Sequence, residues 1–126
     1  MRGCIGQTAA EESLAEAVIR MAPLAAFEDG RFKPLAAEEL PEVRLEISIL
    51  SPRRRAKNHA AIRPGDGVAL ESGGRRGVFL PQVWETLPDK TEFLETLCSQ
   101  KAGLPKDCYK NPAAVLSVFK TESFSE

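Results

Sequence analysis

Several things are scarce in this sequence, and each scarcity closes off a class of function. There is one histidine and no cluster of cysteine and histidine at metal-ligand spacing, so a zinc site of common type lacks ligands. Aromatic residues make up 6% of the chain, with a single tryptophan and a single tyrosine. No excess of positive charge exists either: 17 basic residues face 18 acidic ones, for a net charge of -1. A general nucleic-acid binder has a basic domain, so none is expected here. No apolar run approaches the ~20 residues of a membrane span, and no membrane association is expected. Met-Arg-Gly-Cys at the start is not an apolar signal region. The three cysteines are odd in number and unevenly spaced, which fits a reducing compartment better than a disulfide framework. Together these features lead to the expectation of a cytoplasmic protein.

What is present suits an ordinary globular chain. The 126 residues are 43% hydrophobic and 28% charged, enough for one domain with a modest core. Arg2–Ile5 reads as a short strand. Thr8-Ala9-Ala10-Glu11 has the form of a capping box, predicting a helix over about 9–26. Leu14, Ala17, Val18, Met21 and Ala25 form its apolar stripe. Pro23 is expected to kink or end that helix early. In 43–50, Val43, Leu45, Ile47 and Ile49 alternate with Arg44, Glu46, Ser48 and Leu50, the period of a strand. The stretch SPRRRAKNHAAIRPGDG reads as loop. Val68–Ser72 and Arg75–Leu80 flank Gly73-Gly74, a hairpin pattern. Asp89 opens a second helix, Gly103 closes it with Pro105 just beyond, and Val115–Lys120 is a last strand. Hairpins outnumber βαβ units, so the expected class is α+β: a mainly antiparallel sheet packed with two main helices.

Cys4 is the first candidate for chemistry. On a strand, Arg2 and Cys4 project to one face, and a guanidinium and a helix N-terminus both favour thiolate. Gly3 and Gly6 carry no side chains, leaving room for a ligand or another backbone. The alternative is that Cys4 is packing material, since free cysteine behaves as a small hydrophobe. Glu46 lies on the polar face of its strand and acts as a base or ligand if that face lines a cleft. Asp29 and Arg31 either bind a ligand or tie down a turn. Gln82 follows Pro81 in a loop and can present its amide to a cleft or to backbone groups. Lys101 falls near the middle of the second helix's apolar stripe, at ~100° per residue. It either faces inward to meet an anion or snorkels out at the helix end. Cys98 lies on the same stripe and reads as core. The arginine loop Arg53–Arg55 has no interleaved aromatic for base stacking.

Five motifs in register, RGCIG, DGRFKPL, LEISILSP, GVFLPQVW and FLETLCSQKAGL, resemble the AMMECR-domain family, known in prokaryotes as AmmeMemoRadiSam system protein A. The resemblance covers nearly the whole chain. It implies an α+β fold with a larger antiparallel-sheet subdomain and a smaller one, a biochemical function that is not established, and partners of Memo or radical SAM type. There are two departures. Members usually carry tens of residues before RGCIG, whereas Met1 stands here where the motif's leucine would be; residues 1–126 are thus expected to be a single such domain lacking its usual N-terminal segment. Without that segment, the edge of the first strand would invite self-association. The second departure is Asp66, where a histidine is common.

Two functional classes follow. One is a small cytosolic binding or accessory module tied to a Memo/radical SAM modification system. The other is an enzyme with Cys4 as nucleophile or redox centre, assisted by Arg2 and Glu46. The first is preferred, because a catalytic cysteine ordinarily works with a histidine and His59 sits in a loop. A remote third is nucleic-acid binding through Arg53–Arg55. No cofactor or metal is expected.

Overall fold

The computed structural model describes residues 1–126. The chain divides into two units. Unit 1 comprises Met1–Ile47 and Ser123–Glu126, and unit 2 comprises Ser48–Glu122.

Unit 1 carries one long helix, α1 (Leu14–Phe27). It starts later than Thr8 predicts, because a second capping box, Ser13–Glu16, follows the first and is the one that forms. Ser13 Oγ accepts the Glu16 N–H, and the Glu16 carboxylate accepts the Ser13 N–H at 3.1 Å. Residues 7–12 are held instead as a loop by Arg20, which donates to Glu12 and to Gln7. Pro23 sits inside α1 without ending it; the helix closes with the Glu28 N–H on the Leu24 carbonyl at 2.8 Å. A 3₁₀ turn follows at Ala37–Glu42. Arg2–Ile5 forms no strand. Its polar groups are taken by side chains from residues 29–39 rather than by a ladder, so the strand edge expected there does not exist.

β1 (Glu46–Leu50) is shorter than the alternation over 43–50 suggests, because the 3₁₀ turn runs to Glu42 and residues 43–45 stay outside any strand. β1 pairs with β6 (Thr121–Ser125), a strand that no sequence pattern announced. The chain passes between units within these two strands.

Unit 2 holds a four-stranded antiparallel sheet in the order β2-β5-β3-β4. β2 (Arg54–Arg55) lies inside the expected arginine loop; β3 is Gly67–Ser72, β4 Arg75–Phe79 and β5 Val115–Phe119. β3 and β4 form the predicted hairpin, with Gly73 at φ 59° and Gly74 at φ 78°, the left-handed pair a type I′ turn requires. β3 is central, and Gly67–Leu70 are all buried, as a strand covered on both faces reads.

A short helix, α2 (Val83–Thr86), delivers Trp84 to the core. α3 (Lys90–Thr96) is capped by Asp89, whose Oδ1 accepts the Glu92 N–H at 2.9 Å. Trp84 stacks on Phe93 at 3.9 Å, and Phe79 meets Phe93 edge-on at 5.2 Å. With Ile62, Val68, Leu70, Leu94, Leu97, Leu116 and Val118, these rings form the core. After Thr96 the helix widens into a π turn, Leu97–Lys101. Gly103 ends it at φ 66°, with the Leu104 N–H on the Cys98 carbonyl at 2.8 Å, a left-handed glycine closure one residue wider than a Schellman motif because the last turn is π.

Cys98 and Cys108 are joined in a disulfide across a separation of 10 residues. The cysteines therefore do not read as a set of free thiols. Cys98 is core, as its stripe position says, and its partner reaches it because the chain turns back at Gly103 and a 3₁₀ turn (Cys108–Lys110) brings Cys108 underneath. The architecture is α+β with antiparallel sheets.

Candidate functional site

In unit 1 the RGCIG segment is built around Asp29, the one buried residue of that unit. Asp29 Oδ2 accepts the Cys4 N–H at 2.9 Å, and Oδ1 accepts the Arg31 N–H at 3.1 Å. The Arg31 guanidinium closes a two-pronged pair on the same carboxylate, at 3.0 Å from Nε and 2.7 Å from NH2. It also donates to the Cys4 carbonyl at 3.1 Å. The bond from Arg31, reinforced by the Cys4 N–H, holds the Asp29 carboxyl well below the usual carboxylate range. Asp29 and Arg31 therefore clamp the backbone on both sides of Cys4, and the Cys4 side chain is left free and exposed.

Arg2 does not share this cluster. Its guanidinium pairs with Glu39 at 2.8 and 2.9 Å and donates to the carbonyls of Lys33 and Pro34 at 2.6 and 3.3 Å. Glu39 also accepts the Ala36 N–H at 2.9 Å. The Arg2 bond, with the Ala36 N–H adding to it, lowers the Glu39 carboxyl to about 2. Arg2 is thus a strap between the first residues and the 33–39 segment, and the guanidinium bonded at Cys4 is that of Arg31. α1 begins at Leu14, not after Thr8, so the helix N-terminus invoked for Cys4 is not supplied there.

The two motif glycines separate in role. A Cβ on Gly3 would stand 1.8 Å from the Ala25 carbonyl oxygen and 2.8 Å from its carbon. The close approach Gly3 permits is that of the α1 backbone, not of a ligand. Gly6 has nothing within 4 Å of its Cβ position and stays open. Glu46 is exposed at the first position of β1, and its carboxylate forms no ion pair or hydrogen bond.

The remaining candidates lie in unit 2. Gln82 is exposed ahead of α2, and its side chain caps nothing. Lys101 is also exposed. The π turn moves it off the stripe that 100° steps predict, and its Cβ would be 2.9 Å from a Cβ on Gly77, so the stem lies over β4 with the ammonium outside. His59 is engaged edge-on with Tyr109 at 5.1 Å.

A further constellation, at Asp66, has no sequence pattern pointing to it beyond a departure from the family's histidine. Asp66 is the one buried charged residue of unit 2. Its Oδ1 accepts the Lys120 ammonium at 2.8 Å and its Oδ2 the Arg63 N–H at 2.9 Å, while its carbonyl accepts the Trp84 indole N–H at 2.8 Å. Burial pushes this carboxyl up; Lys120, the Arg63 N–H and the Arg54 charge together outweigh it and hold the group below its ordinary value. Beside it opens a cavity of about 200 Å³ lined by Ser51, Pro52, Arg54, Val118, Phe119 and Lys120. The available signal was a lone carboxylate between two glycines, immediately before a continuous apolar run.

The family model described as AMMECR1 matches residues 1–124. The chain belongs to the AMMECR1 family. It is 40% identical over 135 residues to a protein of Thermococcus gammatolerans, covering 100% of this chain and 64% of that one. A protein of Methanothermobacter thermautotrophicus is 40% identical over 134 residues, covering 100% and 69%. Among solved structures, the uncharacterized protein PH0010 of Pyrococcus horikoshii superposes with a TM-score of 0.91 at 36% identity, covering 99% of this chain and 64% of that one. The chain thus spans about two thirds of the length of these family members. No helix of the structure is long and apolar enough to cross a membrane.

Proposed function

We propose that this family member is a binding module whose unit 1 surface engages a protein partner of Memo or radical SAM type, in a cytoplasmic modification system. The observation that carries this reading is where apolar surface lies open. Of nine exposed large hydrophobic residues, all but Val115 belong to unit 1. Ile19 is 74% exposed and Phe27 54%, both on α1, and Leu40 and Leu45 are 63% and 56% exposed. A concentration of exposed apolar side chains on one unit is what an interaction surface requires. The partner class comes from the family resemblance.

The test is a binding titration of the full chain against the Memo-type and radical SAM-type proteins of the same genome. Ile19→Glu and Phe27→Glu are expected to weaken binding to one of them while Cys4→Ser leaves it intact. No binding to either protein refutes the reading.

A second reading, an enzyme using Cys4, is favoured by one fact: the thiol is free, exposed and adjacent to Arg31. Bonding to Asp29 chiefly raises the pKa of Arg31, and Cys4 adds to it. Alkylation of Cys4 at neutral pH far faster than a model thiol would support catalysis; an ordinary rate supports the binding module. Arg54 and Arg55 lie in a paired strand opposite Val118 and Ser117, and nothing favours the nucleic-acid reading.

A further inference from the structure

The segment Pro64-Gly65-Asp66-Gly67 takes no part in the function proposed above, yet it is closely built. Gly65 has φ 94°, and a Cβ there would lie 4.0 Å from the Lys120 ammonium. A Cβ on Gly67 would fall 2.3 Å from the Phe119 ring. Glycine at 67 lets the ring lie directly on the backbone, where it forms one wall of the 200 Å³ cavity. The Asp66 carbonyl is fixed from the core side by Trp84, and its carboxylate fixes Lys120.

The donors left over define what fits. Lys120 has three N–H donors and gives one to Asp66. Arg54, held in β2 opposite Val118, lines the cavity and has no ion-pair or hydrogen-bond partner for its guanidinium. Two cations against one carboxylate leave a unit of positive charge uncompensated. The Ser51 hydroxyl accepts the Lys120 N–H at 2.8 Å and reaches the Pro52 carbonyl at 3.3 Å, so it shapes the wall. Pro52, Val118 and Phe119 supply apolar surface. A guanidinium fork beside an ammonium suits a carboxylate or phosphate. With ~30 Å³ per water-sized group, the space holds on the order of six such groups.

We propose that this cavity binds a small ligand through its oxyanion group, carboxylate or phosphate, held by Arg54 and Lys120, with a short apolar remainder against Pro52, Val118 and Phe119. Asp66 is a positioning residue that sets Lys120 and balances one of the two cations.

Amide NMR titrations of the full chain with inorganic phosphate and with propionate, at constant ionic strength, test this. Saturable shifts confined to Ser51, Arg54, Asp66 and Val118–Lys120 are expected with at least one probe. A response to phosphate alone assigns a phosphoryl ligand, and a response to propionate alone a carboxylate. Arg54→Gln and Lys120→Gln preserve the backbone pairing and are each expected to weaken binding about tenfold or more. Arg76→Gln, which alters an exposed pair with Glu71, is expected to leave it unchanged. Shifts that stay linear with both probes, or that persist undiminished in Arg54→Gln, overturn the proposal.

Discussion

Replacing Gly3 by alanine separates a packing role from a ligand-approach role for the RGCIG segment. The new Cβ would sit 1.8 Å from the Ala25 carbonyl oxygen, where real Cβ contacts stay above 3.0 Å. The segment and α1 must therefore part by at least about 1.2 Å. The obstacle is helix backbone, which cannot rotate away as a side chain can. The Cys4 N–H next in the chain is 2.9 Å from Asp29 Oδ2, and a shift of that size takes it beyond hydrogen-bonding range. Overpacking of this kind costs about 1–3 kcal/mol, or about 5- to 150-fold in an opening equilibrium. The assay is amide hydrogen exchange at Cys4 and Arg31, both held by Asp29. Their exchange should accelerate by that factor, with α3 amides unchanged as an internal control. Gly6→Ala, with no neighbour in reach, should do nothing. Equal exchange in wild type and Gly3→Ala would refute the reasoning.

Three more outcomes are expected. Gly103→Val puts a β-branched residue at φ 66° and should lower stability by roughly 1–2 kcal/mol, read as a lower denaturation midpoint; an unchanged midpoint counts against the left-handed closure at Gly103. Reducing the Cys98–Cys108 bridge, which closes a short loop, should lower stability by about 2–3 kcal/mol, measured as a drop in melting temperature with dithiol that Cys98→Ser/Cys108→Ser no longer shows. The Glu39 carboxyl is lowered from 4.5 to about 2 in the fold, so its contribution is complete above pH 4.5 and is lost as pH falls towards 2; Glu39→Gln should flatten the acid limb between those values, and an unaltered limb sinks the assignment.

What the sequence disclosed depended on whether a signal was local. The β3–β4 hairpin was legible because two glycines in succession permit one turn, and the end of the helix at Gly103 because only glycine sits easily there. Strand β6 was not legible: Thr121–Ser125 alternates nothing apolar, and β1 alone gives it a ladder. The start of α1 is ambiguous in the sequence because two boxes of the same form stand in succession, at Thr8 and Ser13, and the contacts of Arg20 with Glu12 and Gln7 decide between them. At the candidate site, the sequence leaves Asp29 and Arg31 as a turn tie or ligands; the structure makes them the clamp on Cys4. Strand periodicity puts Arg2 on the thiol's face, a rule that lapses where no strand forms. The Asp66 cavity needs Arg54, Asp66 and Lys120, whose meeting no short-range pattern encodes.

The near absence of buried apolar residues from unit 1 has a thermodynamic consequence. The heat capacity change of unfolding comes mainly from newly hydrated apolar surface. Opening unit 1 adds little, because its large side chains are already wet, whereas opening unit 2 exposes nearly the whole aromatic and aliphatic core. The two stability curves therefore differ in shape: unit 2 follows a pronounced dome with temperature, and unit 1 a shallow line. Unit 1 rests instead on charge-assisted bonds at Asp29 and Glu39, whose arginine partners are open to solvent, and salt screens them. Cooling and ionic strength thus act as separate controls, the first on the core of unit 2 and the second on the clamp around Cys4.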